Sequence, residues 1–329
     1  MQLLPHNYSG RNFAELDAAR PLFQLCYPGT RHCLRVLPGF ASLPSVRGDS
    51  LLMDVGARTD VGRVRENNED AFKVEASLEL FIVSDGMGGE AHGEVASALA
   101  IETVIEHCQA SLANLATPLF GDPNPDLSAR TNRLASAVHL ANKRIYEAGE
   151  RDLGQRGMGA TVVAAWVEDQ RLSVAHVGDS RAYLLRGGAL EQLTADHSLV
   201  AEQVRQGLLT PQQAESSELQ NVLTRALGPA ESVLVDADEH QIMPGDTLLL
   251  CTDGLSRMVT DEEIASTLMT SLAAQQAADR LIELANENGG VDNSTVIVVR
   301  FPQESSGLFD RLKRWRRSSD GPSTVGGPA

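Results

Sequence analysis

Short apolar runs typical of β-strands recur through the middle of the chain, and longer stretches with helical periodicity lie between them. The short runs are rich in Val, Ile, Leu and Phe and are bounded by Gly, Asp or Asn, a composition that favours strands. We predict strands at 71–75, 78–84, 161–167, 172–177, 182–185, 232–236, 247–252 and 295–301.

Four longer segments have apolar residues on one helical face, and we predict helices at 93–112, 125–152, 261–272 and 273–288. Thr260, with Glu263 three residues later, forms a capping-box sequence at the start of the third. Strands and helices come in blocks rather than in strict alternation. This arrangement predicts an α+β fold of antiparallel sheets with helices outside them, not a doubly wound parallel sheet.

The chain divides into three segments by composition. Residues 1–49 contain five of the 14 prolines and no lysine, and we interpret them as a loosely ordered N-terminal extension or an over-long gene start. Residues 50–302 form the patterned domain, and 303–329 form a basic, flexible tail. Within the tail, 308–317 places apolar residues roughly on one helical face, which indicates either weak contact with an anionic surface or partner, or simply a solvated end.

Charge and cysteine content exclude several classes of protein. The chain carries 28 Lys and Arg against 44 Asp and Glu, and residues 50–302 alone have a net charge of −20 (18 basic, 38 acidic). Such acidity disfavours binding to nucleic acid, which depends on clustered Lys and Arg. The four cysteines show no C-x-x-C spacing, no apolar run is long enough for a membrane span, and no secretory signal is visible. We therefore expect a cytoplasmic monomer.

The candidate chemistry lies in acidic turns next to apolar strands. A single Asp-Gly turn is ordinary hairpin chemistry, but several carboxylates at neighbouring strand ends can converge on one edge of a sheet. If they do, protons or bound cations must relieve their repulsion, and oxygen ligands without His or Cys select Mg²⁺ or Mn²⁺ over zinc. The turns are D-G-M-G-G (85–89), G-D-S-R (178–181), T-D-G-L (252–255) and D-N-S-T (292–295), with a fifth acidic motif, R-E-N-N-E-D, at 65–70.

The order of these five motifs resembles that of the metal-dependent protein phosphatases, the type 2C serine/threonine phosphatases, in their bacterial form. The segment 221–228 is also similar to that family, and the resemblance covers about residues 54–301. It implies a β-sandwich of two antiparallel sheets flanked by helices on both outer faces, a four-layer αββα arrangement. It also implies two to three Mn²⁺ or Mg²⁺ ions as cofactors.

The resemblance implies a role for each acidic position. Asp85 would bridge two ions, with the Gly86 carbonyl on one of them, and Asp253 and Asp292 would ligate the second. Asp179, together with Asp253, would hold a weaker third ion.

Other residues would act around the ions. Glu69, Asp70 and Asn293 would orient waters bound to them, and Arg65 would bind the substrate phosphate through its planar guanidinium. The segment 196–219, called the flap below, would shape substrate access.

The implied reaction is hydrolysis of phosphoserine and phosphothreonine esters by direct attack of a metal-bridging hydroxide, without a covalent enzyme intermediate. The proton donor to the leaving group is open. Met87 stands where eukaryotic relatives have a histidine, and Glu90 stands where bacterial relatives usually have one. His92, Glu90 or a metal-bound water are the candidates, and water is preferred.

The expected partners are phosphorylated proteins, namely a bacterial Ser/Thr kinase that the enzyme opposes, or the substrates of that kinase. Two other functions stay open: a stress-response phosphatase of the same superfamily that acts on an anti-sigma antagonist, and a pseudophosphatase binding module that has kept only the fold. Nucleotide binding through 86–89 is disfavoured because no G-K-[ST] follows.

Overall fold

A computed structural model describes residues 53–88, 92–270 and 272–301. The predicted N-terminal extension, the basic tail and Glu90 lie outside the described residues. The boundaries of the three predicted segments therefore stay predictions.

Twelve strands and seven α-helices make up the described structure. The strands are β1 (Asp54–Asp60), β2 (Ala71–Glu75), β3 (Leu80–Ser84), β4 (Gly86–Met87), β5 (Gly159–Ala160), β6 (Val162–Glu168), β7 (Arg171–Val177), β8 (Arg181–Arg186), β9 (Ala189–Gln192), β10 (Asp236–Gln241), β11 (Thr247–Cys251) and β12 (Ser294–Arg300). The helices are α1 (Gly93–Ala113), α2 (Ala129–Arg151), α3 (Leu199–Arg205), α4 (Pro211–Glu215), α5 (Asp253–Ser256), α6 (Asp261–Leu268) and α7 (Ala274–Glu287), with a 3₁₀ turn at Leu153–Gln155.

The long strands form two five-stranded sheets, ordered β1-β12-β11-β8-β9 and β10-β7-β6-β3-β2, and β4 pairs with β5 in a small ribbon. All pairs are antiparallel. In the first sheet, Cys251 at the end of β11 lies opposite Val296 near the start of β12. In the second, Val162 at the start of β6 lies opposite Val177 at the end of β7. In the first sheet the strand ends that carry acidic turns are therefore neighbours, whereas in the second sheet β6 lies between β3 and β7, whose ends carry the other two turns.

The two sheets pack face to face through alternate residues of their strands. One apolar cluster contains Leu248, Leu250 and Ile297 from the first sheet and Phe81 and Val163 from the second. Because side chains alternate across a strand, Leu249 between them points to the other face, where helices cover it.

Helices cover the outer face of each sheet. The α1 and α2 helices lie on the second sheet, in the cluster that includes Val104, Leu134 and Trp166. The α6 and α7 helices lie on the first, in the cluster that includes Ile264 and Leu281. The predicted α+β sandwich with helices on both outer faces is therefore confirmed.

Several predicted element boundaries are wrong. Residues 232–235 of the predicted strand at 232–236 are not in a strand. The edge strand β10 begins at Asp236, because pairing with β7 and not local hydrophobicity places it. The second helix begins at Ala129 rather than 125, where the Ser128 hydroxyl caps it. The third ends at Leu268 rather than 272, but its capping box between Thr260 and Glu263 is present as predicted.

None of the helices in the described part of the chain combines the length and the apolar character that crossing a bilayer requires.

Candidate active site

The four acidic turns converge on one edge of the sandwich. Asp85 follows β3 and Asp179 lies two residues after β7, both in the second sheet, whereas Asp253 follows β11 and Asp292 precedes β12 in the first. All four side chains line a single pocket of about 410 Å³. Residues more than 200 positions apart in the sequence therefore meet where the ends of the two sheets face each other.

Close backbone packing brings Asp253 and Asp292 together. Gly254 lies so near the Asn293 backbone that an added Cβ would come within 1.9 Å of the Asn293 carbonyl oxygen. Only a residue without a side chain permits this approach. The T-D-G-L and D-N-S-T motifs thus form one structural unit.

The Asp85 turn is held from both sides. The Asp85 amide donates to the Thr161 hydroxyl (3.0 Å), and the Thr161 amide donates to the Asp85 carbonyl (2.8 Å). The Thr161 hydroxyl also hydrogen-bonds that of Ser180 (2.6 Å), next to Asp179. At Gly86 a Cβ would come within 2.1 Å of the Gly93 carbonyl oxygen, so the turn packs directly against the start of α1. Thr161 therefore ties the Asp85 turn to the Asp179 turn.

Asn293 and Asp70 connect the 65–70 motif to the pocket. The Asn293 amide oxygen accepts from the Glu69 amide (2.8 Å), and its nitrogen donates to the carbonyls of Val61 and Asn67. Asp70 Oδ2 accepts from the hydroxyls of Thr252 (2.9 Å) and Thr295 (2.7 Å).

Burial makes these carboxyls reluctant to ionise. Desolvation raises the pKa of Asp85 well above its ordinary value, and the nearby Asp253, Asp70, Asp179 and Asp292 raise it further. The same cause, with a contribution from Asp253, raises the pKa of Asp70 and of Asp179 to about 7. Burial also raises the pKa of Asp253, which Arg257 opposes, and that of Glu69, which Arg65 opposes. The pocket concentrates negative charge that only protons or cations can balance.

Two arginines already supply part of that positive charge. Arg65 Nη2 donates to Asp292 Oδ2 (3.0 Å) at the mouth of the pocket, and its side chain is 56% exposed. Arg257 Nη2 lies 3.2 Å from Asp179 Oδ2 and 2.5 Å from Asp253 Oδ2. The two guanidinium groups thus contact different members of the carboxylate cluster.

The donor set fits hard divalent cations. Oδ1 of Asp253 and Oδ1 of Asp70 are buried without a hydrogen-bond partner among the described residues, a costly state that a ligated ion or a water bound to it would relieve. Among the described residues, the lining of the pocket provides carboxylates and backbone carbonyls but no histidine or cysteine. This combination suits Mg²⁺ or Mn²⁺.

A second cluster of potential metal ligands consists of His176, His197 and Asp236, whose ligand atoms lie within 4.8 Å of one another. Hydrogen bonds within the protein explain why these side chains lie together. His197 Nδ1 accepts from the Gly178 amide (3.1 Å), so Nε2 carries the proton and donates to Asp236 (3.1 Å). His176 Nε2 donates to the Ala195 carbonyl (2.9 Å), and Arg225 pairs with Asp236 (2.7 Å). The cluster is a structural network that braces the Asp179 turn.

The predicted site residues that line the pocket are Arg65, Glu69, Asp85, Gly86, Asp179, Asp253, Asp292 and Asn293. Asp70 lies behind them through its contacts with Thr252 and Thr295. His92, at the N-cap of α1, does not line the pocket.

The sequence reasoning missed Arg257 and Thr161. The spacing of Asp253 and Arg257, four residues apart at the start of a helix, is the local signal that could have revealed the first. No comparable local signal marks Thr161.

Comparison with protein families shows the family to which the chain belongs. The model described as Protein phosphatase 2C matches residues 62–288, more than two thirds of the chain. The chain belongs to the protein phosphatase 2C family. It is accordingly a protein phosphatase.

Named relatives agree with this assignment. The serine/threonine phosphatase stp of Listeria monocytogenes is 38% identical over 245 residues, covering 74% of this chain and 93% of the relative. The serine/threonine protein phosphatase PstP of Mycobacterium tuberculosis is 41% identical over 249 residues, covering 76% of this chain and 45% of the relative.

Solved structures of this family share the fold. The M. tuberculosis phosphatase PstP/Ppp superposes with a TM-score of 0.67 at 37% identity, covering 76% of this chain and 99% of that one. A PstP catalytic domain in complex with two manganese ions gives a TM-score of 0.65 at 37% identity, covering 77% of this chain and all of the other.

Proposed function

We propose that this chain is a metal-dependent phosphatase that hydrolyses phosphoserine and phosphothreonine esters in proteins. The convergence of Asp85, Asp179, Asp253 and Asp292 in one pocket carries the proposal. The names of the relatives, which are serine/threonine phosphatases, and the two manganese ions in the PstP structure support it.

We assign the ion-holding role to Asp85, the Gly86 carbonyl, Asp253 and Asp292, all of which line the pocket. A pair of divalent ions, when bound, supplies a water of lowered pKa and neutralises charge on the phosphoryl oxygens. Burial, and after it the charge of the neighbouring carboxyls, raises the pKa of Asp85, so ionisation of this carboxyl and the binding of divalent ions would favour each other.

The chain's own side chains then position the substrate. Arg65 is exposed at the pocket mouth, and among the described residues it binds a single carboxylate oxygen, so its guanidinium can turn toward two phosphate oxygens. Asn293 and the Glu69 backbone keep the 65–70 segment in register with the Asp292 turn. Asp70, held by two threonine hydroxyls, would orient water bound to the ions. No histidine lines the pocket among the described residues, so protonation of the leaving group by a bound water stays our preferred prediction.

A groove beside the pocket provides room for the polypeptide around the phosphorylated residue. It shares Asp179, Asp253 and Arg257 with the catalytic pocket and runs between the flap helices α3 and α4 and the start of α6. We propose that the flap selects clients here and that a bacterial Ser/Thr kinase or its substrates are among them.

Turnover by the full chain tests the proposal. Phosphothreonine and phosphoserine peptides should be hydrolysed with Mn²⁺, EDTA should abolish the reaction, and Asp85→Asn should lose both turnover and Mn²⁺ binding. Asp126→Asn, the same change at an exposed position between α1 and α2, is the matched control and should keep full activity. Phosphopeptide binding without hydrolysis in the presence of Mn²⁺ would instead identify a pseudophosphatase. Preference for a phosphorylated anti-sigma antagonist over kinase peptides would identify the stress-response alternative.

A further inference from the structure

Arg257 occupies a position between two of the pocket's carboxylates. Its Nη2 is within ion-pair distance of both Asp179 Oδ2 (3.2 Å) and Asp253 Oδ2 (2.5 Å). The arginine side chain is 19% exposed, and the two carboxylates are 8% and 10% exposed. This is a desolvated bridge between strand ends of different sheets, unlike an ordinary surface ion pair.

The backbone holds Arg257 at this place. Asp253 opens α5, and the Arg257 amide donates to the Asp253 carbonyl (2.9 Å) one turn later. Residues four apart on a helix lie on the same face, so the guanidinium extends back toward the Asp253 carboxylate. From there it also meets Asp179, which the Gly178–His197 contact keeps in place.

Charge balance explains why a cation is needed there. The carboxylates of Asp179 and Asp253 are only 8% and 10% exposed, and two buried carboxylates that reach the same guanidinium nitrogen need a positive group between them. Arg257 is that group, because its guanidinium is within ion-pair distance of both carboxylates. The opposite end of the pocket, around Asp85 and Asp292, contains no such buried arginine among the described residues, since Arg65 is exposed.

We propose that Arg257 is a fixed third cation of this site: its guanidinium takes the position between Asp179 and Asp253 that would otherwise hold a third divalent ion, so that the chain binds two ions. The inference rests on the proposed function, because it presumes that the remaining carboxylates hold metal. In this proposal Asp179 forms an ion pair with Arg257, whereas the sequence resemblance implies that Asp179 holds a third ion.

A covalently attached cation differs from an ion in one measurable respect, because it does not dissociate when free metal is scarce. Arg257 lines both the catalytic pocket and the neighbouring groove, so it presents positive charge to both at any metal concentration. Removal of the side chain should therefore open a site for an additional ion.

Manganese stoichiometry of the full chain tests the proposal, measured by equilibrium dialysis with elemental analysis and by titration calorimetry. The unaltered protein should bind two Mn²⁺ per chain, and Arg257→Ala should bind three, the third about tenfold or more weakly than the others. The matched control is Arg205→Ala, the same change in the same groove. Arg205 contacts Glu202 and the Asp196 carbonyl rather than the pocket carboxylates, so this variant should bind two.

The Asp179→Asn variant tests whether Asp179 pairs with the Arg257 guanidinium or binds a metal ion. In the unaltered background it should leave the stoichiometry at two, whereas combined with Arg257→Ala it should return the stoichiometry from three to two. If Arg257→Ala does not fold, Arg257→Lys and the stoichiometry of the unaltered chain still test the proposal. The lysine variant keeps the charge and should bind two ions.

The outcomes separate this inference from the proposed function. Three ions in the unaltered chain, or two in a folded Arg257→Ala variant, would overturn the role of Arg257 but leave the phosphatase assignment intact. Failure of the unaltered chain to bind Mn²⁺ at all would overturn the metal-dependent mechanism and this inference with it.

Discussion

At the residue scale, Asp85 is placed for metal binding at a cost to the metal-free fold. Its pKa is raised by burial first and by four neighbouring carboxyls next, so the folded chain binds its proton more tightly than the unfolded chain does. A raised carboxyl pKa favours folding at low pH, and that advantage is lost as the pH rises through the folded-state pKa. As the pH rises, ionisation of Asp85 therefore works against folding unless cations are bound.

This imbalance predicts that Asp85→Asn stabilises the metal-free protein. In EDTA the variant should melt at a higher temperature than the unaltered protein at pH 8, and the difference should be smaller at pH 5. Each unit of pKa shift corresponds to about 1.4 kcal/mol of stability, and 1 kcal/mol to about 2–4 °C in a domain of this size. With saturating Mn²⁺ the unaltered protein should melt at the higher temperature, since the variant no longer binds the ions. Thermal melts at both pH values check this, and an Asp85→Asn protein that melts lower in EDTA at pH 8 would contradict it.

The position of the four Asp residues next to apolar strands made their convergence possible, but only the family resemblance predicted it. Arg257 could not be placed in the same way, because its second partner, Asp179, lies 78 residues away and only the sheet topology brings it close. Thr161 was missed for the same reason, since its contact with the Asp85 amide spans 76 residues.

At the element scale, the flap is attached through a narrow neck. His197 and Gly178 are joined twice, from the His197 amide to the Gly178 carbonyl (3.0 Å) and from the Gly178 amide to His197 Nδ1 (3.1 Å). The Thr224 amide donates to the His197 carbonyl (2.8 Å), and Ser198 forms a β-bridge with Leu223. His197 thus connects the start of the flap, and the chain five residues beyond its end, to the turn that carries Asp179.

We predict that His197→Ala lowers the free energy of unfolding by about 1–3 kcal/mol, because it leaves the buried Gly178 amide without an acceptor. It should also raise KM for phosphopeptides more than it lowers kcat, since the flap and not the Asp85 turn loses its support. Urea denaturation and steady-state kinetics measure the two effects. His197→Asn, whose side-chain oxygen can take the place of Nδ1, should recover part of both, and equal losses in the two variants would contradict this role of the imidazole.

The contact between α7 and β1 gives a second prediction at this scale. A Cβ at Gly56 would lie 2.2 Å from the Gln275 backbone nitrogen, so Gly56→Ala should destabilise the protein by about 1–3 kcal/mol through forced separation of helix and sheet. Gly154→Ala is the control, because its nearest neighbour is a side-chain oxygen at 3.2 Å. Urea midpoints for both variants check this, and equal shifts would show that backbone entropy rather than steric overlap dominates.

The sequence predicted strands correctly where an apolar run is also buried inside a sheet, as in β3, β7 and β11. It failed for β10, whose sequence D-A-D-E-H-Q is polar because it forms a sheet edge, and for α3 and α4, which are too short for a clear helical period. It also missed β1, where Gly56 and the polar Arg58 interrupt the apolar pattern while β12 and α7 hold the strand.

At the scale of the whole molecule, the net charge of −20 over residues 50–302 surrounds a pocket that must accept a phosphate dianion. We predict that this charge favours clients with basic flanking residues. For a phosphopeptide flanked by Lys and Arg, kcat/KM should fall several-fold as ionic strength rises from about 0.02 to 0.2 M, because salt screens long-range attraction. An otherwise identical peptide with Glu flanks should show the opposite slope, and parallel slopes for the two peptides would contradict the prediction.

The neck formed by His197, Ser198 and Leu223 has a consequence for how such enzymes diversify. Because Ser198 pairs with Leu223, four residues beyond the end of the flap, insertions, deletions and exchanges between these two residues should leave the ion-binding carboxylates undisturbed. Duplicated genes can then acquire new targets through this one loop while inheriting an unaltered reaction centre. A flap transplanted between two such enzymes at residues 198 and 223 should carry its client preference with it.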